Sequence, residues 1–396
     1  MANKITVSGV GCCLVDRLYN HLDFNSDVFK RFLTRTKGDG GLMPGQLVLK
    51  EEFDRFAGAD FLQILPALTA GHVAETVNIG GPCIVALIHA AQISGEGTIF
   101  RFYGCHGDDD DGLFLLDALT KTPIDIYKYR LEKDTVTAST IVLSDPEYDN
   151  GNGERVFINT IGASWNYRPD ELDADFFASD IVVFGATALM PQIHDHLTEL
   201  LAKAKEHGCF TIVNTVFDFR SEKVHPENRW MLGKSDDSYR HIDLLITDHE
   251  EALRLSGTSN TADAMMFFKS RGVGAAVITN GARNISVYSS GQVFEPLECT
   301  MPVSEAISAE IRQGRKGDTT GCGDNFAGGM IASVVKQLQA SKTQLCLTEA
   351  CRWGVVSGGF ACFYTGGTYL EKAAGEKSGL LWNYYQKYLK QTGYEG

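Results

Sequence analysis

Lys316-Gly317-Asp318-Thr319-Thr320-Gly321-Cys322-Gly323-Asp324 runs directly into NFAGGMIASVVKQL over 325–338. The first stretch reads as a turn. The second carries small and apolar residues at helical spacing. Glycines therefore fall where a loop enters a helix, and without Cβ atoms that backbone can approach a ligand closely. The leading N–H groups of a helix have no internal partner, and the helix dipole favours an anion beside them. Such a mouth is suited to cradle a phosphoryl group gaining charge in transit. A carboxylate at Asp324 could accept the proton of an attacking hydroxyl there. Helix capping is the rival role for Asp324, but it explains neither the two flanking glycines nor the second aspartate, Asp318.

Working outward, β-branched runs at 5–10, 98–103, 180–184, 210–213, 244–247 and 275–279 read as buried strands. Amphipathic stretches at 84–93, 192–206, 250–255 and 326–338 alternate with them. This βαβα order predicts an α/β protein: a mainly parallel central sheet covered by helices on both faces. Ligands then sit beyond the carboxyl ends of the strands. Two regions break the rhythm, 20–76 and 135–162, and both read as an accessory β-layer. A final surface helix is expected over 377–391.

The bulk properties narrow the partners. The chain has 396 residues and a formal net charge of -14, with 36 Lys+Arg against 50 Asp+Glu. That acidity argues against nucleic acid or an anionic membrane as the main partner. The ten cysteines show no zinc-ligand spacing and read as reduced, mostly buried thiols of a cytoplasmic protein. The first residues look like a strand rather than a leader, and no apolar run of membrane-spanning length is present. Gly9-Val10-Gly11-Cys12-Cys13-Leu14 lacks the third glycine of a dinucleotide loop, and Gly233-Lys234-Ser235 lacks the first glycine and the preceding strand of a Walker A loop. Neither H-R-D nor D-F-G occurs as in a protein kinase.

Asp318-Thr319-Thr320-Gly321-Cys322-Gly323-Asp324 resembles D-[ST]-x-G-x-G-D, the C-terminal signature of the PfkB/ribokinase family of carbohydrate and nucleoside kinases. Other segments agree in order. Val7-Ser8-Gly9-Val10-Gly11 with Asp16 resembles the family's first strand. Gly80-Gly81 resembles its N-terminal Gly-Gly signature, and Gly107 to Gly112 fits G-x-D-x-x-G. Asp248-His249-Glu250-Glu251 stands where the family has N-x-x-E, and Thr279-Asn280-Gly281 resembles its T-x-G nucleotide loop. The GLMPGQLVL stretch is similar to the adenosine-kinase-like branch.

The resemblance implies a ribokinase-like three-layer sandwich in one domain over 1–396, with a small β-sheet lid built from parts of about 17–78 and 134–162. It implies Asp324 as catalytic base and the backbone N–H groups of Gly321, Cys322 and Gly323 as an anion hole. Thr279, Gly281, Asp248 and Glu251 would serve ATP, with Asp248 and Glu251 organising Mg2+ through water. Asp16, Gly80 and Gly81 would meet the acceptor. Asp318 and Thr320 match a monovalent-cation site for K+, and a homodimer through the lid edges is expected. The partner implied is a small sugar or nucleoside.

Two residues depart from the pattern. Val85 stands where the Gly-Gly helix normally carries an Asn whose amide binds substrate, so an acceptor would lose a hydrogen bond worth about 0.5–1.5 kcal/mol. Pro82 beside it suits a first helical turn. Asp248 replaces the usual Asn and adds a negative charge. These departures motivate a second reading, a non-catalytic sugar- or nucleotide-binding regulator with the same fold; the intact GCGD loop weighs against it. A third reading keeps the enzyme but gives it a vitamin-like hydroxymethyl acceptor. The acidic run 108–111 reads as a solvated start of a helix, and Cys322 as a spacer despite a position that could lower a thiol pKa.

Overall fold

The computed structural model describes residues 4–36, 38–151, 153–315 and 317–393; of 150 and 151 only the backbone is described. Lys316, the first residue of the quoted loop, lies outside the described residues. Among the described residues there are fourteen strands: β1 Ile5–Val10, β2 Leu14–Tyr19, β3 Leu47–Leu49, β4 Thr76–Gly80, β5 Thr98–His106, β6 Tyr129–Leu131, β7 Ser139–Asp145, β8 Glu154–Thr160, β9 Ile181–Gly185, β10 Phe210–Asn214, β11 Leu244–Asp248, β12 Ala275–Thr279, β13 Ile285–Ser289 and β14 Leu297–Met301.

Nine of them form the main sheet in the order β14-β13-β12-β11-β10-β9-β1-β5-β6. From β12 to β6 every pair is parallel; β13 and β14 close one edge as antiparallel strands. Successive residues alternate between two cores, as strand geometry requires. Val183 and Val277 pack with the helices Pro82–Ser94, Cys322–Gln339, Leu347–Ala361 and Glu376–Gln391. Val182 and Ala276 pack on the other face with Leu197–Glu206, His249–Ser256 and Thr261–Ser270. The result is the expected three-layer α/β sandwich. From β1 the chain builds outward to β5 and β6, then returns to add β9 to β12 on the other side. A topological switch point therefore lies beside β1, where ligand clefts open in such sheets.

The second sheet has the order β3-β8-β7-β2-β4. One face, with Tyr19, Ile141, Leu143, Val156 and Ile158, packs on Phe29, Phe53 and Phe61 in a core of its own. Its other face, with Asp16, Asn78 and Thr140 in register, turns to the main sheet.

The structure corrects three expectations. Residues 20–76 supply only one three-residue strand and the first residue of β4; most of the segment is irregular, and its longest elements are the helices Lys50–Ala57 and Phe61–Leu68, laid on the small sheet. Pro66 inside the second helix and its brevity hid that pattern. The stretch 192–206 is two helices that meet at His196. The last helix is not confined to the surface, because Lys377, Leu381, Tyr384, Tyr385 and Tyr388 are buried. No helix of the described residues is long and apolar enough to cross a membrane.

Candidate active site

The glycine-rich loop stands where the sequence placed it, at the head of the Cys322–Gln339 helix. Gly321 is the N-cap at φ 73, a left-handed conformation that favours glycine, and no side chain caps the helix. A Cβ on Gly321 would lie 2.5 Å from the Gly367 Cα, so the loop also needs glycine for close packing. On the opposite side, nothing lies within 4 Å of where a Cβ of Gly323 would sit. The loop is therefore packed behind and open in front. The Cys322 N–H reaches the Thr319 carbonyl at 3.3 Å. Asp318 accepts from the Thr320 N–H at 2.7 Å and from the Gly366 N–H at 3.2 Å, which ties the loop to the segment after the Leu347–Ala361 helix.

Asp324 lies in the first turn of the Cys322–Gln339 helix. Enclosure by protein pushes its carboxyl up to about 7. Asp16, on β2, is buried, and its carboxyl is also pushed up to about 7, first by desolvation and then by the charge of Asp324. A hydrogen bond from Thr140 works against that rise. The second sheet and the glycine-rich loop thus each place a carboxylate close enough for the two charges to interact. Gly80 makes room for this arrangement, since a Cβ there would stand 2.2 Å from Asp16 Oδ2. Gly81, at φ 105, brings the chain against the Cys12 carbonyl, 2.2 Å from where its Cβ would be. Gly80→Ala is expected to displace the Asp16 carboxylate; if that carboxylate holds an acceptor, the acceptor KM should rise by more than about tenfold, the scale of one lost charged hydrogen bond, while the ATP KM changes little. Steady-state kinetics with each substrate varied in turn checks this.

Val85 is 2% exposed. Its methyls lie 3.3 Å from where a Cβ of Gly367 would sit, so it supports the segment behind the loop. The position is apolar packing here, as the missing amide implied.

Several residues around the loop were not legible in the sequence. Arg155, on β8, donates from Nη1 to Thr320 Oγ1 at 2.9 Å and from Nη2 to Thr319 Oγ1 at 2.8 Å. A cation from the small sheet thereby touches the anion loop. Asn325 donates through Nδ2 to the carbonyls of Gly321 and Gly367, both at 2.8 Å. Its Oδ1 accepts from Tyr364 Oη at 3.0 Å and from Lys377 Nζ at 3.1 Å. Lys377 is 1% exposed, and desolvation pushes its amine down to about 7. Asn78 braces the same region from β4, donating to the Thr368 carbonyl at 3.0 Å. Cys362 Sγ lies 3.3 Å from Cys322 Sγ.

A family profile described as pfkB family carbohydrate kinase matches residues 88–373. The chain belongs to the pfkB family. The match includes the Asp318–Asp324 loop and leaves Asp16, Gly80 and Gly81 on its amino-terminal side. Aminoimidazole riboside kinase of Salmonella typhimurium is 25% identical over 263 residues, which cover 64% of this chain and 72% of that one. Adenosine kinase from Sinorhizobium meliloti superposes with a TM-score of 0.65 at 18% identity, covering 95% of this chain and 99% of that one. Ribokinase from Thermotoga maritima gives 0.61 at 17% identity, covering 98% and 99%. The protein is accordingly a carbohydrate or nucleoside kinase with the ribokinase-like fold.

In the main sheet of this kinase, Asp248 ends β11 and pairs in register with Thr279 at the end of β12. Gly281 follows at φ 53 with open space where a Cβ would be. Asp248 and Glu251 form a reciprocal capping box on the His249–Ser256 helix, so each also has a structural duty. Burial, then the Asp248 charge, push the Glu251 carboxyl up to about 8, and Asp324 adds to the rise; the Thr215 hydroxyl offsets part of it. With Glu251 buried and Asp248 exposed at the strand end, this acidic set fits a hydrated divalent cation, whose charge would relieve the mutual repulsion. Among the described residues no three His, Cys, Asp or Glu side chains converge to hold an ion directly. The Asp318 and Thr320 side-chain oxygens accept from loop amides and from Arg155, so they would offer a K+ ion only their remaining lone pairs.

Proposed function

We propose that this kinase transfers the γ-phosphoryl group of ATP to a hydroxyl of a sugar or nucleoside, with Asp324 as base. The observation that carries the reading is Asp324 at an uncapped, glycine-lined helix head, with its charge felt by Asp16 on the facing sheet. The acceptor lies between the two carboxylates. Asp16 accepts a hydrogen bond from one acceptor hydroxyl and so orients the molecule. Asp324 takes the proton of the hydroxyl that attacks. The amides of Gly321 and Gly323, with that of Cys322 once it leaves the Thr319 carbonyl, stabilise the charge that grows on the transferring group. Thr279 and Gly281 line the nucleotide rim. Magnesium, held through water by Glu251 and Asp248, would neutralise phosphate charge. The small sheet acts as a lid, excluding water and delivering Asp16 and Arg155.

The relatives named above include kinases of an aminoimidazole riboside and of adenosine, so ribose-bearing acceptors head the trial. The test is ADP release with ATP and Mg2+ against sugars, sugar phosphates and ribosides. Acceptor-dependent release, with a phosphate ester as product, is expected. Release no faster than slow ATP hydrolysis across the whole panel would count against the reading. Glu251→Gln keeps the capping geometry and removes the charge. It should raise the Mg2+ concentration for half-maximal rate by roughly ten- to a hundredfold, as loss of an outer-sphere partner does. Mg2+ titration of both proteins measures it.

A further inference from the structure

All ten cysteines are free thiols, and six of them are buried. Cys322 and Cys362 are both partly exposed, and their sulfurs are 3.3 Å apart. Cys322 lies in the anion loop; Cys362 is the C-cap of the Leu347–Ala361 helix. Their segments are already one unit, because the Gly317 N–H donates to the Cys362 carbonyl at 2.7 Å and Asn325 bridges Gly321 to Gly367.

We propose that Cys322 and Cys362 are a redox modification site at which a peroxide makes a reversible disulfide that disables the anion loop. The chemistry balances. One thiol is oxidised by the peroxide to a sulfenic acid with release of one water. The second thiol then attacks that sulfur and expels a second water, leaving the S–S bond. Two electrons leave the thiols and reduce one peroxide. No large rearrangement is needed, since the sulfurs are in contact.

The bond would nonetheless shift the loop. A disulfide holds its sulfurs at about 2.05 Å, so the pair must close by more than an ångström. Cys322 follows Gly321, whose fit against Gly367 leaves no slack. The motion therefore falls on the amides that face the transferring group, where a displacement of about 1 Å can cost about a hundredfold in rate. A thiol reductant reverses the bond by exchange.

The expected loss of turnover rests on the kinase reading; the bond itself does not. The full chain is treated with hydrogen peroxide, blocked with an alkylating agent and mapped without reduction. A peptide pair joined through Cys322 and Cys362 is expected. Acceptor-dependent ADP release should fall about a hundredfold and return with dithiothreitol. Cys362→Ser should keep the reduced protein's rate and melting temperature, and should resist peroxide; Cys362→Ala serves if the serine variant folds poorly. Absence of the joined pair, or equal inactivation of the Cys362 variants, overturns the proposal. A joined pair with turnover unchanged overturns the switch. Failure of the kinase reading would show earlier, in the reduced protein, while mass mapping still reports the bond.

Discussion

Asp324→Asn should lower turnover by about a thousandfold, in the range that a positioned general base contributes, while leaving the fold and nucleotide binding in place. Asparagine keeps the shape and cannot take a proton. The position is partly open at the head of a helix that already lacks a side-chain cap, so no cap is lost. The pH dependence carries the same argument. With its carboxyl raised to about 7, wild-type Asp324 is largely protonated at pH 6, and turnover should climb as pH rises through about 7. Asp16 is raised to about 7 as well and feels Asp324, so the two titrate as a coupled pair and the climb broadens. The asparagine variant should lose the part of the climb that belongs to the base.

Stability should move the opposite way. The folded-state pKa of Asp324 lies above its unfolded value, so native protein holds a proton that the unfolded chain has lost between about 4 and about 7. Wild type is therefore destabilised progressively as pH rises through that window, and the full cost stays above it. Asp324→Asn should melt higher than wild type at pH 8, with the gap closing below pH 4. Melting curves at the two pH values, beside a pH–rate profile, measure both halves. A variant with near-normal turnover on its true acceptor would remove Asp324 as the base.

The parts of this site that were legible in the sequence are those written locally. The Asp318–Asp324 loop needs glycines and acids within a few positions, because backbone conformation and a helix mouth are decided over that distance. The parallel strands were legible because both of their faces are buried, which leaves continuous β-branched runs. The edge strands β13 and β14 carry weaker patterns, with Leu297–Met301 half open to solvent. Contacts across the fold left no such trace. Arg155 meets Thr320 across 165 positions, Asn78 meets Thr368 across 290, and Lys377 meets Asn325 across 52. Each is an ordinary polar residue in its local setting, and only the packing of the small sheet and the last helix against the loop gives it a role. Lys377 shows the difficulty well: a lysine at the start of a helix reads as solvated, yet here Tyr364, Tyr369 and Asn325 enclose it.

Arg155→Ala should lower kcat/KM for ATP by roughly a hundredfold, because the substitution removes two charged hydrogen bonds from the small sheet to the glycine-rich loop, which the proposed mechanism sets at the phosphate. A hydrogen bond to a charged group contributes about 1.5–3 kcal/mol, and about 3 kcal/mol corresponds to roughly two decades in rate. The guanidinium has a fixed fork, with Nη1 on Thr320 and Nη2 on Thr319, and its flat face lies over the Phe157 ring. Arg155→Lys keeps the charge without the fork, so it should recover only part of the loss. The split between constants separates two roles. If Arg155 only latches the lid, the acceptor and ATP KM values rise together and kcat is nearly kept. If the guanidinium moves from the two threonines to the transferring group, kcat falls in the alanine variant and added guanidinium ion restores part of it. Stability should barely change in either case, because Arg155 is partly exposed and the threonine hydroxyls can turn to water. Initial rates over a grid of both substrates, with and without guanidinium, decide between them; an alanine variant with wild-type kcat and KM values would leave Arg155 no part in the reaction.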